Sequence, residues 1–489
     1  MPRRDRFEHY AGTCWVYAVA SLALLALGLR AGTGTLLVVC ALLAGISALV
    51  LFRLSMAQVG LTMTLGFAFM TPWNAVQFGA LRPSDVCLAL GILAFVCSAV
   101  GRAERWPALP PWVLQLAIMI ILISSITQLL PFAPSYLQHR VYLDPNALPG
   151  INPTKPWTMA LRWLAAVLAV PLIAGFAALY RPRALYSMAT AYCFGAAASG
   201  YLAISDRLHL TSIRERLLGA EIQFGYGNRQ SGLTLHPNHL AASTTLAAPI
   251  ACWLIVRGTP RLRRLGVLAL IGALAGVYLS GSRGGAVVSV FCVLLAVVLL
   301  HRLRARVFQL GFGLATIVTV VFIAVPSLVH EVANTTRLSG GLTATGSNQA
   351  RAILGAQSLI DFRHSPIYGI GLQVALSGHE VFQQLLAAGG LLLLGSFLIF
   401  VFFGLKHGIQ YGRVDQLGVA LTISLASWMM LAPIENFLQD RYLYVPVSLI
   451  VAAGFVHRRA TARIDADLTP ESAVLAGLVS VQEDVPAIP

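Results

Sequence analysis

The sequence predicts an all-α polytopic membrane protein, one membrane domain filling almost the whole chain. Three observations carry this. The 489 residues are 57% hydrophobic and only 11% charged, with a mean hydropathy of +0.76. A soluble protein of this size carries about 25% charged residues. Apolar runs near the length that spans a bilayer recur from end to end. The breaks between them alternate between short basic loops and long polar ones, as in a chain that crosses a membrane repeatedly.

The apolar segments are, in order, 13–29, 35–52, 56–72, 84–101, 112–130, 158–179, 184–204, 237–256, 265–280, 285–300, 307–326, 381–404, 415–431 and 440–456. Several are short for a full crossing, so the expected count is about 12 to 14 transmembrane helices. Either even count leaves both termini on one side. Arg3-Arg4-Asp5-Arg6 precedes the first run as in a signal peptide, but further runs follow directly, which favours an uncleaved first helix. The cysteines (Cys14, Cys40, Cys87, Cys97, Cys193, Cys252 and Cys292) all fall in or beside apolar runs. Neither a disulfide framework nor a zinc site is expected from them. Residues 461–489 are polar and acidic and read as a disordered tail, leaving 1–460 as the membrane domain.

Orientation follows from positive charge in short loops. With the N-terminus inside, the inner loops hold Arg53, Arg102, Arg181, Arg257, Arg302 and Arg458, most with a basic neighbour. The long loops 131–157, 205–236 and 327–380 then lie outside, the last being the largest. The formal net charge of +15 is not confined to the inner side. Arg82, Arg216, Arg229, Arg283, Arg351 and Arg363 sit at the outer loops and helix ends, where they are not topology signals. They read either as solvated loop residues or as a cationic face for an anionic ligand. Membrane lipids are the expected surroundings, and no nucleic-acid partner is implied.

Four constellations could carry chemistry. Gly225-Tyr-Gly-Asn-Arg-Gln-Ser-Gly232 leads into His236-Pro-Asn-His-Leu-Ala241. Pro237 suits a helix start, which puts Asn238 and His239 in the first turn. Leu279-Ser-Gly-Ser-Arg-Gly284 surrounds one arginine with small residues. Arg283 is there either a snorkelling residue at a tight turn or a planar fork with room to meet a phosphate. Asn348 to Asp361 reads as a helix inside the largest loop, with Arg351 on one face, held by a salt bridge or by a ligand. It leads to Ser365-Pro-Ile-Tyr-Gly-Ile-Gly371. Ser377 and Glu380 fit a capping box, which starts the next helix there and puts His379 in its first turn. The helix dipole favours the neutral imidazole, so His379 either accepts a proton or merely caps a loop. Gln383, four residues on, would share its face.

These pieces in this order resemble the bacterial O-antigen ligase and polymerase family. The matching residues are His236-Pro-Asn-His-Leu-Ala241, Leu279-Ser-Gly-Ser-Arg-Gly284, Arg351 followed by Ser365 to Gly371, and His379 with Gly390 eleven residues on. They span about residues 200–395. Two positions depart from the family's usual pattern: Glu380 follows the histidine, and Ala388 stands where an acidic residue is frequent.

The resemblance implies a membrane glycosyltransferase of the GT-C type, multi-pass in the bacterial inner membrane, with both termini cytoplasmic and the site at the periplasmic face. The donor is an undecaprenyl-pyrophosphate-linked glycan. In the ligase branch the acceptor is a sugar hydroxyl of lipid A–core, and transfer needs neither metal nor cofactor. His379 is the expected catalytic residue. Arg283 and Arg351 are the expected phosphate contacts, with Arg229, Arg216, Asn238, His236, Gln383 and Glu380 as further substrate-binding candidates. The single dominant outer loop, late in the chain, favours the ligase over a polymerase that joins repeat units on the same carrier. A transporter of lipid-linked sugar would carry internal repeats and charges near the bilayer midplane; no repeat is visible, and the charges gather at one face.

Overall fold

The computed structural model describes residues 55–77, 82–100, 106–129, 155–218, 229–300, 342–372, 380–434 and 438–467. Every regular element among the described residues is a helix. They are α1 (Met56–Met70), α2 (Pro83–Ala99), α3 (Pro111–Leu129), α4 (Lys155–Leu164), α5 (Val170–Tyr180), α6 (Ala184–Arg207), α7 (Ile213–Leu218), α8 (Pro237–Arg257), α9 (Pro260–Ser280), α10 (Arg283–Leu299), α11 (Leu342–His364), α12 (Val381–Val414), α13 (Gln416–Leu431) and α14 (Arg441–Asp467). The predicted segments 13–29, 35–52 and 307–326 lie outside the described residues; each of the others coincides with a helix. One π-helical turn, Ala165–Ala169, joins α4 to α5 just before Pro171, whose ring nitrogen cannot donate to the ladder.

Among the described residues, five helices are long and apolar enough to cross a membrane: Pro111–Leu129, Trp157–Tyr180, Pro237–Arg257, Pro260–Ser280 and Val381–Val414. Large apolar side chains stay exposed on α3 (Leu114, Ile118), α9 (Leu268, Ile271) and α10 (Val287, Leu294). That surface is costly in water and suited to lipid chains. The protein is a helical membrane protein.

The centre is α8, enclosed all round: Leu246, Ala247, Ala248, Ile250 and Ala251 are fully buried. Its small residues, Ala241 to Thr245, let the neighbouring backbones approach closely, the packing that works where lipid offers no hydrophobic drive. Polar cross-links supplement it. Ser424 of α13 donates to the Leu246 carbonyl at 2.7 Å. Trp163 of α4 donates to the Tyr444 hydroxyl of α14 at 2.5 Å, and Tyr444 donates on to the Leu438 carbonyl at 2.8 Å.

The helices alternate, so their connections fall at two ends. One end holds 71–77, Arg82, 281–282, 432–434, 438–440 and the starts of α8, α12 and α14; the other holds 181–183, 258–259 and Asp415. Arg181, Arg183, Arg257, Arg261, Arg263 and Arg264 gather at the second end, in the loops that the charge pattern assigns to the inner side.

The long helix α12 is broken at Gly390, whose φ of 60° and ψ of −156° are not helical. The break is nine residues in, about 14 Å along the axis. Four main-chain groups at the break are taken up by the segment that follows α11. Leu391 N donates to Pro366 O at 2.9 Å, and Leu392 N to Ile367 O at 3.2 Å. In return Ile370 N donates to Ala387 O at 2.8 Å, and Gly371 N to Ala388 O at 3.0 Å. Irregular backbone at membrane depth persists only where protein satisfies it, and this strap does so.

Two expectations are corrected. Helix α12 starts at Val381 with Glu380 as its extended N-cap, and the Glu380 side chain makes no cap hydrogen bond. The first helical residue is thus two positions after His379, which itself lies outside the described residues. Instead, the first turn is anchored through its main chain, Val381 N donating to Ala432 O at 2.8 Å. Second, α14 runs on to Asp467, past the expected boundary at 461. Ala460, Ala462 and Arg463 are good helix formers, and no glycine or proline intervenes before Pro470.

Candidate functional site

At the first end the motif residues converge. Helix α8 begins as its sequence dictates: His236 is the N-cap, Nδ1 accepting from Asn238 N at 3.0 Å, and Pro237 stands at the first helical position. Asn238 is buried in that first turn, and its side-chain oxygen accepts from the Arg229 guanidinium. The same guanidinium donates through Nε to the Ser280 carbonyl at 2.7 Å, at the end of α9. Gln230 N donates to Leu279 O at 2.9 Å. Two motifs some forty residues apart are thus joined by one arginine.

Gly281 closes α9 in the left-handed conformation, and Ser282 caps α10 by accepting from Gly285 N at 3.2 Å. Arg283 is the first residue of α10 and half-buried. Next to it, Gly284 packs against Ile434, two residues past the Ala432 that holds Val381. The starts of α10 and α12 therefore flank the same short segment, 432–434. On α11, Arg351 is half-buried and shares a face with Gly355, which packs against the Gln383 amide. Gln383 is thus at the α11–α12 contact.

Arg283, Arg229, His236, Asn238 and Glu380 gather around α8, α10 and α12, and Arg351 with Gln383 lies between α11 and α12. Arg216 is exposed on α7, where Nε donates to the Ser212 hydroxyl of its own turn at 3.1 Å, a local bond that does not tie it to the others. His379 lies outside the described residues.

The structure adds a polar cluster that sequence reasoning does not assemble. Asp440, 7% exposed, sits in the loop before α14. Its Oδ2 is 2.9 Å from His239 Nδ1, and its Oδ1 is 3.5 Å from the Arg82 guanidinium. The Asn74 amide lies 3.2 Å from both carboxylate oxygens and 2.7 Å from His239 Nδ1. Leu235 N donates to Asn74 Oδ1 at 2.8 Å, which fixes the amide so that its NH2 faces this pair. Beside them Arg441 pairs with Asp85. Burial alone pushes the Asp440 carboxyl up, but His239, Arg82 and Asn74 outweigh it and hold the carboxyl below its usual value. The signal that was there to find is scarcity. With only 19 acidic residues in the chain, carboxylates at apolar segment boundaries on the motif side need a partner.

The arrangement can do two things. It presents arginines held in fixed orientation by carbonyl, amide and carboxylate oxygens, suited to an anion at a low-dielectric boundary. It also holds an imidazole against a carboxylate, a geometry that can carry a proton. Compared with known protein families and with curated protein sequences, the chain matches none.

Proposed function

We propose that this protein is an O-antigen ligase. It transfers O-antigen polysaccharide from undecaprenyl pyrophosphate to a sugar hydroxyl of lipid A–core during lipopolysaccharide synthesis. The observation that carries the reading is the meeting of motifs. Arg229 ties His236-Pro-Asn-His to Leu279-Ser-Gly-Ser-Arg, and Ser365 to Gly371 straps the break at Gly390. A shared site is what gives such distant residues a reason to meet.

In this reading the chain crosses the inner membrane about 12 to 14 times, in the manner of GT-C glycosyltransferases. Both termini are cytoplasmic, and the cluster end is periplasmic. The second end, rich in arginine, supports that orientation. Arg283 and Arg351 hold the pyrophosphate, and Arg229 assists from its fixed position. Their charge stabilises the leaving group as the anomeric bond breaks. His379 takes the acceptor's hydroxyl proton.

The test is to incubate purified protein with lipid-linked O-antigen and either lipid A–core or additional donor. Glycan appearing on lipid A–core is the expected result. Lengthening of the donor glycan would make it a polymerase. Movement of the donor across a vesicle with no new glycosidic bond would make it a transporter.

A further inference from the structure

The dyad of His239 and Asp440 is left unused by the scheme above, though it sits within the same cluster. Three features mark it as a built site. Asp440 is almost fully enclosed and takes His239 at 2.9 Å. Asn74 is oriented by Leu235 so that its amide serves either proton arrangement. With the proton on His239 Nδ1, that nitrogen donates to Asp440 and Asn74 donates to the carboxylate as well. With Nδ1 bare, Asn74 donates to it instead. Finally, His239 follows Asn238, which takes the Arg229 guanidinium, in the first turn of α8.

We propose that His239, oriented by Asp440, is a second catalytic histidine, which donates a proton to the departing pyrophosphate. The inference rests on the transferase reading. In the step, the bond between the anomeric carbon and the phosphate oxygen breaks and its electron pair goes to that oxygen. The acceptor oxygen forms the new bond to the anomeric carbon and gives its proton to His379. His239 Nε2, on the far side of the ring from Asp440, gives a proton to the phosphate oxygen. Both histidines then exchange protons with water to reset. The reason is charge. Cleavage adds one negative charge to the pyrophosphate at a low-dielectric boundary, where an extra charge is costly. A proton delivered there removes it.

The groups that face His239 set its charge. Asp440 from the loop before α14 favours the proton, as does the more distant negative charge of Asp85. Arg82 after the α1 loop, Arg441 of α14, Arg229 before α8 and the His236 ring, 5.9 Å away, oppose it when charged. The nearest of these groups is the Asp440 carboxylate, 2.9 Å from Nδ1.

The experiment measures transfer to lipid A–core from pH 5 to 9, and separately the binding of undecaprenyl pyrophosphate across the same range. Wild-type protein should lose both rate and affinity on the alkaline side. His239→Gln should lower the rate and abolish that alkaline limb, and should weaken binding at pH 6 about tenfold or more, the scale of one charge-assisted hydrogen bond. Asp440→Asn, which removes the carboxylate that contacts Nδ1, should move the limb. Either a wild-type rate and limb in His239→Gln or an unmoved limb in Asp440→Asn overturns the proposal. If His239→Gln does not fold, Asp440→Asn and the binding curve decide. Wild-type protein that moves no glycan to either acceptor sinks the transferase reading itself. Intact transfer with a pH-independent His239→Gln to wild-type ratio sinks the second histidine alone.

Discussion

Replacing Gly390 by alanine tests whether the break in α12 is a built joint. At φ 60° and ψ −156° the residue occupies a region that a side chain rarely adopts, so alanine there is strained. Such strain costs of order 1–3 kcal/mol. A Cβ at Gly390 would also lie 2.4 Å from the Ile367 carbonyl carbon and oxygen and 2.6 Å from the Pro366 oxygen. Those atoms are main chain and cannot rotate away. The strap must move, and it carries the acceptors for Leu391 N and Leu392 N. Each buried amide left without a partner costs about 1–3 kcal/mol. Taking the low end of each, the destabilisation is at least about 3 kcal/mol. For a chain of 489 residues, at roughly 1 °C per kcal/mol, the apparent Tm falls by about 3 °C or more. Gly395 is the control, in the same helix, where a Cβ would meet nothing within 4 Å. Alanine there is a better helix former by about 1 kcal/mol, so Tm should hold or rise. The assay is thermal unfolding of both variants in one detergent at one scan rate. Equal Tm values for the two variants would refute the strapped-joint account.

Other outcomes follow from the same geometry. Because its partners hold Asp440 below the usual carboxylate value of about 3.9, its stabilising contribution is complete above that pH and disappears as pH falls through the depressed folded value. Asp440→Asn should therefore flatten the acid limb of a stability–pH curve while lowering stability at neutral pH. Arg283→Ala should abolish glycan transfer and Arg283→Lys should rescue it poorly, since lysine lacks the bidentate fork; transfer should continue in EDTA, and a loss reversed by magnesium would overturn the metal-free scheme. His379→Ala should fold normally and lose on the order of 10²-fold or more in rate, whereas Glu380→Gln should keep substantial activity; the reverse pair of results would make the carboxylate the base. A reporter fused after Gly346 should be active only if it is a periplasmic type.

The helices are legible because apolar length is a one-dimensional property. From 56 to 456, every apolar segment among the described residues is a helix, and Pro237 and Ser282 mark two starts by local chemistry alone. The start of α12 misleads for a reason that is equally local. A capping box needs only Ser and Glu three apart, and Ser377 and Glu380 satisfy it. The structure anchors the turn instead by a main-chain bond from Val381 to Ala432, fifty-one residues away, which no local pattern encodes. The dyad is hidden similarly: His239 and Asp440 are 201 positions apart, and neither sits in a spacing that signals the other.

The placement of Asp440 answers why so many arginines can stand together at one end. Arginines brought close in a poorly solvated place repel one another, and each loses hydration. Here three of them are tethered by oxygen. Arg82 meets the Asp440 carboxylate, Arg441 meets Asp85, and Arg229 meets a carbonyl and an amide. The carboxylates neutralise two of the four described cations of the cluster, Arg82, Arg229, Arg283 and Arg441. Among these four, a net positive charge of about two remains, which in the proposed reading faces the pyrophosphate of the donor. Fewer carboxylates would leave a cluster that repels itself before the donor arrives, and more would cancel the field that draws the donor in. The buried acids thus set the charge of the site as much as the arginines do. The loss of Asp440 should accordingly reach beyond its immediate neighbours, to the affinity for the donor itself.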